Sequence, residues 1–212
     1  MEQQLGRRET KKLAVRTAVE QAARRLFAEQ GYEATSVRQI ADKAGVAERT
    51  FYRYFDGKEG LIADEAERWI ELLGNAIRHR PPAEPPFLAV QRTLTALARQ
   101  VAQDERGKPI WLFTNDPQPY ELLLKSAPKP LLRFEDAIAR AILDRTTGHG
   151  DGQAEFAAQL IARVSVGILR SAAIRQRELE TTLGANAPKI DATLEAAYAT
   201  LAAQVPDARI QP

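Results

Sequence analysis

The stretch from Thr35 to Leu61 constrains this chain more than any other, because its pattern predicts two short helices joined by a tight turn. Either Thr35 or Ser36 can cap the first helix through its hydroxyl oxygen. Gly45 follows that helix, and glycine enters the left-handed backbone of a sharp turn without steric cost. The first helix has one apolar stripe at helical spacing, Val37, Ile40, Ala41 and Ala44. The second directs Phe51 and Phe55 inward.

The second helix also carries polar side chains that we expect to be exposed. A helix–turn–helix presents such a face to the DNA major groove. Arginine can pair with guanine through two hydrogen bonds, worth ~1–3 kcal/mol of discrimination, and a tyrosine hydroxyl can reach a phosphate oxygen. A lysine at the start of the next helix would also favour phosphate. The predicted DNA-contact residues are Thr35, Ser36, Ala47, Glu48, Arg49, Thr50, Tyr52, Arg53, Tyr54 and Lys58.

A plain helical hairpin with a solvated charged face is the alternative, and the glycine turn alone would favour it. The complete run favours DNA binding, because exposed cationic and aromatic groups lie between buried apolar anchors. The run also resembles the DNA-binding signature of the TetR family of bacterial transcriptional regulators. The matching residues are Thr35, Val37, Ile40, Ala41, Ala44, Gly45, Val46, Thr50, Phe51, Tyr52, Phe55, Lys58, Glu59 and Leu61.

Two positions depart from the commonest form of that family. Ala47 replaces the usual serine or threonine, which weakens one helix cap or phosphate contact, and Tyr54 replaces a frequent histidine. The resemblance covers roughly residues 11–61. It implies an all-α fold with an N-terminal three-helix DNA-binding domain, residues 1–60, and a larger C-terminal helical ligand-binding and dimerisation domain, residues 61–212.

The rest of the chain predicts helices broken by proline and glycine. A helix from about Lys11 to Gln30 packs behind the helix–turn–helix, and a basic leader precedes it as either a disordered tail or a DNA-contacting arm. Further helices are predicted over 58–80, 87–104, 131–144, 153–180 and 188–204. Several prolines leave room for only short helices in residues 107–130.

Other classes of function find little support. The two histidines, His79 and His149, are isolated, and no nucleophile motif, metal-ligand spacing or phosphate loop occurs, so we expect no enzyme, no metal and no cofactor. The chain lacks cysteine, an apolar leader and an uncharged run of ~18 apolar residues, which favours a cytoplasmic protein without a membrane partner. A ligand-independent architectural or partner-responsive DNA-binding protein and a protein-interaction module remain as alternatives.

We expect a homodimer on a palindromic double-stranded DNA operator, because one helix–turn–helix reads few base pairs. The predicted interface is Leu160, Val164, Ile168, Leu194, Tyr198 and Leu201, although such apolar stripes fit a plain intrachain core equally. The resemblance also implies a pocket for a small apolar or amphipathic ligand that releases a repressor from DNA. Large apolar residues on separate segments are its candidates, although they could equally form plain core: Trp69, Leu73, Phe87, Trp111, Phe113, Leu122 and Phe134.

Overall fold

The computed structural model describes residues 6–103, 129–145 and 152–204. Over these residues it contains helices and no strand, which confirms the all-α class. The helices are α1 (Arg7–Gln30), α2 (Val37–Lys43), α3 (Glu48–Tyr52), α4 (Gly57–Arg78), α5 (Pro86–Gln103), α6 (Lys129–Arg145), α7 (Gly152–Leu183) and α8 (Ile190–Gln204), with a 3₁₀ turn at Gly184–Asn186.

Helix α1 begins earlier than the sequence predicts. Backbone N–H groups of Glu9 and Thr10 donate to the Gly6 carbonyl, at 2.8 and 3.0 Å, and Glu9 places a negative charge in the first turn. A negative charge there favours the positive end of a helix. The basic residues at positions 7, 8, 11 and 12 therefore lie exposed on a helix, while residues 1–5 fall outside the described residues.

Two compact units make up the chain, and the boundary between them falls inside α4, after Ala66. The domain boundary predicted between residues 60 and 61 stays a prediction. In the first unit, apolar residues of all four helices meet in one core: Val19, Leu26, Phe27, Ile40, Phe51, Phe55 and Leu61. The Phe51 and Phe55 rings pack with their centroids 5.4 Å apart. Arg16 pairs with Asp64 at 2.5 Å, and Arg24 pairs with the buried Glu65, so α1 is tied to α4.

The second unit is built around α7, which contacts α5, α6 and α8. Gln176 of α7 accepts a hydrogen bond from the Thr193 hydroxyl at 2.6 Å and donates to the Pro188 carbonyl at 2.8 Å, which pins α8 against α7. By length and composition α7 could cross a membrane, but core helices of soluble proteins meet the same criterion. Here α7 is the helix on which the others pack.

Candidate DNA interface

The start of α2 is fixed by a capping box. Ser36 Oγ accepts a hydrogen bond from the Gln39 backbone N–H at 3.2 Å, and the Gln39 side chain accepts one from the Ser36 N–H at 2.8 Å. The two bonds satisfy donors that a helix start leaves free. Of the two predicted caps, Thr35 and Ser36, it is therefore Ser36 that caps α2.

Thr35 differs from the prediction that it contacts DNA. Its residue is 1% exposed, and its hydroxyl donates to the Gly31 carbonyl at 2.7 Å. The side chain closes the turn after α1, so it is not available at the surface.

The turn between α2 and α3 has the predicted geometry. Gly45 adopts φ +68°, and its N–H donates to the Asp42 carbonyl at 3.1 Å. The Val46 N–H donates to the Ala41 carbonyl at 3.0 Å. Ala47 then begins α3 with no side-chain cap, as its departure from the family pattern predicts. These bonds set the direction in which α3 leaves α2.

Helix α3 has one buried and one exposed face. Phe51 and Phe55 are buried, whereas Glu48, Arg49, Tyr52 and Arg53 are exposed, with Tyr52 at 56%. Thr50 and Tyr54 are partly exposed, and Ala47 and Ser36 lie at the surface. Most of the predicted contact residues therefore share one accessible surface around α3.

Two cations of this surface stand out because they lack an ion pair among the described residues. Within the described part of the chain, neither Arg49 nor Arg53 forms an ion pair. By contrast, Lys43 pairs with Glu29 at 2.7 Å. Arg53 instead lies over the Tyr54 ring, 4.9 Å from its centroid, and donates to the Tyr54 hydroxyl at 3.3 Å. Arginines held in this way keep their charge available to an anion.

Lys58 is placed differently from the prediction of a phosphate contact. Its ammonium donates to the Tyr32 carbonyl at 2.7 Å and lies 4.1 Å from the centroid of the Tyr32 ring. Sequence patterns do not show such a contact, because its partners lie far apart along the chain. The exposed Arg38 on α2, which the sequence argument leaves out, is a further surface cation; Asp42 lies 4.0 Å from it.

The structure describes only some of the predicted pocket residues, and these, like the predicted interface residues, belong to the second unit. Trp111, Phe113 and Leu122 lie outside the described residues. Leu73 and Phe134 are buried, and Trp69 and Phe87 are partly exposed. One described groove, of about 450 Å³ on α7, is lined by none of the predicted pocket residues. The ligand pocket stays a prediction.

The interface prediction needs a correction on α8. Leu194 is fully buried within the single chain, and Tyr198 packs its ring against Phe87 with centroids 6.0 Å apart. These two residues already form intrachain core, so they offer nothing to a second copy. Leu160 and Val164 of α7 are exposed, while Ile168 and Leu201 are partly exposed.

The fold and this surface together define the class of helix–turn–helix proteins that carry a helical second unit. Comparison with known proteins agrees. Residues 21–64 match the family model described as bacterial regulatory proteins, tetR family. The HTH-type transcriptional regulator TcmR of Streptomyces glaucescens is 34% identical over 100 residues, which cover 47% of this chain and 44% of TcmR. The matched part thus spans less than half of that relative.

Solved structures show the same fold at low sequence identity. A putative TetR-family transcriptional regulator from Syntrophomonas wolfei matches with a TM-score of 0.61 and 18% identity, over 95% of this chain and 100% of that one. Thermus thermophilus FadR, a TetR-family transcriptional repressor in complex with lauroyl-CoA, matches with a TM-score of 0.53 and 20% identity, over 88% and 92% of the two chains. Residues 21–64 thus match the DNA-binding part of the tetR family, and the fold of the chain is that of solved TetR-family regulators.

Proposed function

We propose that this transcriptional regulator is a repressor that binds a palindromic operator as a homodimer and is released by a small apolar or amphipathic ligand. One observation carries the DNA-binding part of the proposal. Arg49 on α3 and Arg53 directly after it are exposed and form no ion pair with any described residue, whereas the opposite face of α3 is buried. Exposed arginines on a second helix fit guanine edges or phosphates, and Tyr52 and Tyr54 fit phosphate oxygens.

The remaining predicted contact residues fit the same proposal, some as base contacts and others as phosphate contacts. Thr50 can reach a base edge. Ala47 and Glu48 are exposed at the start of α3, and Ser36 is exposed at the start of α2. Backbone N–H groups and short side chains at helix starts commonly position a protein on the phosphates. Sequence selection would therefore fall mainly to Arg49, Thr50 and Arg53.

A second copy of the chain is the proposed partner for an exposed apolar stripe on α7. Phe156, Leu160 and Val164 recur every fourth residue and are 62%, 50% and 38% exposed. Helix α8 adds exposed small residues at helical spacing, Ala192, Ala196, Ala199 and Ala203. Apolar surface of this kind marks an interaction site. A two-fold dimer would also supply the second helix–turn–helix that an operator of two half-sites, ~34–36 Å apart, requires.

The ligand part of the proposal rests on the family and on partly exposed aromatic residues. Thermus thermophilus FadR was solved in complex with lauroyl-CoA. In this chain Trp69 of α4 and Phe87 of α5 retain exposed area, and Leu73 of α4 is buried. A ligand that binds one arrangement of the unit better lowers operator affinity through linkage. Lauroyl-CoA is the first probe, and unchanged operator affinity at saturation would rule it out as an inducer.

Binding to the DNA that flanks the protein's own coding region tests whether the surface around α3 binds DNA. The wild type should form a specific complex whose affinity falls steeply with salt. Arg53→Ala should weaken that complex by about 10- to 100-fold, the scale of one base-contacting arginine. Arg175→Ala removes an exposed arginine of α7 and serves as the control with unchanged affinity. Absent or sequence-indifferent binding would favour the interaction or architectural alternatives.

A further inference from the structure

Three residues of the first unit form a contact that the DNA surface does not explain. The Lys58 ammonium contacts Tyr32 at two points. It donates a hydrogen bond to the carbonyl oxygen at 2.7 Å, and it lies over the face of the ring, 4.1 Å from the centroid. The Tyr32 hydroxyl donates to Glu59 Oε1 at 2.7 Å. Adjacent residues at the start of α4 therefore hold both ends of one tyrosine.

The tyrosine itself is locked in place. Tyr32 is 1% exposed, and its ring packs on Phe27 with centroids 5.1 Å apart. Burial, followed by the hydrogen bond to Glu59 and the negative charges of Glu59 and Glu33, raises the pKa of the Tyr32 hydroxyl. The hydroxyl, protonated at neutral pH as in any tyrosine, therefore remains a donor even at a pH at which an exposed tyrosine ionises.

Tyr32 also connects to the start of the helix–turn–helix. Its carbonyl accepts a second hydrogen bond, from the Thr35 N–H at 3.2 Å, and the Thr35 hydroxyl closes on Gly31. Ser36, the cap of α2, follows directly. Any displacement of Tyr32 relative to α4 therefore moves the residue from which α2 starts.

The backbone before the contact leaves room for Glu59. Gly57 adopts φ +72°, and a Cβ atom added there would lie 2.9 Å from Glu59 Oε2. A side chain at this position would have to displace the carboxylate. Gly57 thus leaves free the space that the Glu59 carboxylate occupies beside its contact with Tyr32.

We propose that Lys58 and Glu59 are positioning residues that hold α2 and α3 at a set orientation on the first turn of α4 through Tyr32. The inference rests on the proposed DNA-binding function, and it assigns Lys58 a different role from a phosphate contact. A phosphate contact would leave the ammonium directed to solvent, whereas here it is directed at a buried tyrosine. Orientation of α3 then depends on a contact outside α3.

Salt dependence of DNA binding separates the two roles of Lys58. Each lysine or arginine that contacts phosphate contributes ~0.9 to the slope of log affinity against log salt. Lys58→Met keeps the side-chain methylenes and removes the charge. We expect a loss of about tenfold in operator affinity, the scale of one charge-assisted hydrogen bond. The salt slope and the affinity for non-specific DNA should stay at the wild-type values.

Matched variants sharpen the test. Arg49→Met removes an exposed charge from α3 and should lower the salt slope, which calibrates the assay. Tyr32→Phe and Glu59→Gln each weaken the hydroxyl–carboxylate bond without touching the DNA surface, and both should lower operator affinity. Their double variant should lose no more than the greater single loss, because the two substitutions disrupt the same bond.

Two outcomes would overturn the inference. A lower salt slope with an equal loss on non-specific DNA would make Lys58 a phosphate contact. A lower melting temperature with unchanged operator affinity of the folded protein would make the contact merely stabilising. Hydrogen exchange without DNA gives an independent reading, because Lys58→Met should speed exchange of α2 and α3 amides more than that of α1 amides, whereas an equal increase in all three helices would indicate lost stability only. That measurement decides the inference even if the wild type binds no operator and the proposed function fails.

Discussion

Gly45 shows how strongly the geometry of the helix–turn–helix depends on a single residue. Its φ of +68° lies in the left-handed region, which a side chain makes costly, yet a Cβ atom there would meet nothing within 4 Å. The requirement for glycine is thus conformational and not steric. It arises from the chain reversal between α2 and α3, where N–H groups of Gly45 and Val46 must both reach carbonyls of α2.

Replacing Gly45 therefore tests backbone strain alone. Gly45→Ala should lower the free energy of unfolding by about 1–2 kcal/mol, the cost of left-handed geometry for an L-residue. Urea unfolding measures it. Gly152→Ala is the matched control, because Gly152 also has open space around it but no positive φ, and it should change stability by less than about 0.5 kcal/mol. Equal effects in the two variants would contradict the argument.

At the scale of elements, the connection between α4 and α5 is held by a cluster of arginines around one carboxylate. Glu84 accepts hydrogen bonds from Arg80 at 2.6 and 2.7 Å and from Arg92 at 2.5 Å. The buried Arg145 of α6 donates to the carbonyls of Pro81 and Glu84, at 2.5 and 3.0 Å. The proline-rich segment between the two helices is thus anchored to α6 as well as to its own ends.

The cluster predicts a pH dependence. Hydrogen bonding by Arg80, with further contributions from Arg92, lowers the pKa of the Glu84 carboxyl from 4.5 to about 2, although burial opposes the shift. A carboxyl with a lower pKa in the folded state stabilises the fold fully above its unfolded pKa. That stabilisation is lost as the pH falls from about 4.5 toward 2.

Glu84→Gln should remove this component. We expect a loss of about 1 kcal/mol in the free energy of unfolding at neutral pH, because the arginines are partly exposed. The variant should also lose less stability than the wild type between neutral pH and about pH 3, as urea unfolding at several pH values would show. Glu71→Gln, at an exposed site of α4, is the control and should keep the wild-type pH profile.

At the scale of the whole molecule, the proposed dimer depends on which apolar residues the fold leaves uncovered. Both α7 and α8 have apolar residues at helical spacing, but Leu194 and Tyr198 of α8 are buried in the intrachain core. The stripe on α7 remains exposed. A charged residue placed in that stripe would be buried without a partner in a dimer, which is costly.

Leu160→Glu should therefore convert a dimer into a monomer, as sedimentation equilibrium would detect, and should weaken operator binding because two linked half-sites are lost. Leu13→Glu is the matched control. Leu13 is 54% exposed, close to the 50% of Leu160, but it lies on α1 in the first unit. It should leave the dimer intact. A wild-type monomer, or dissociation by both variants, would contradict the proposed interface.

Local patterns predicted the helices well. Helices α4, α5, α6 and α7 begin within two residues of their predicted starts, because apolar spacing, prolines and glycines act within a few residues of chain. The capping box at Ser36 and the left-handed turn at Gly45 are equally local, and both were within reach of sequence reasoning. The sequence predicts the start of α1 too late, at about Lys11 instead of Arg7, because a basic leader gives no periodic apolar signal.

Sequence patterns are enough to predict the helical class, the helix–turn–helix and the exposed face of α3, since each depends on neighbouring residues and on helical periodicity. Whether an individual polar or apolar side chain faces solvent or packs inside the protein depends on tertiary structure. Thr35 turned inward, Lys58 turned to Tyr32, and Tyr198 turned to Phe87. Hydroxyls, ammonium groups and aromatic rings look alike in a sequence whether they face solvent or protein. The choice depends on partners that only folding brings within a few ångströms.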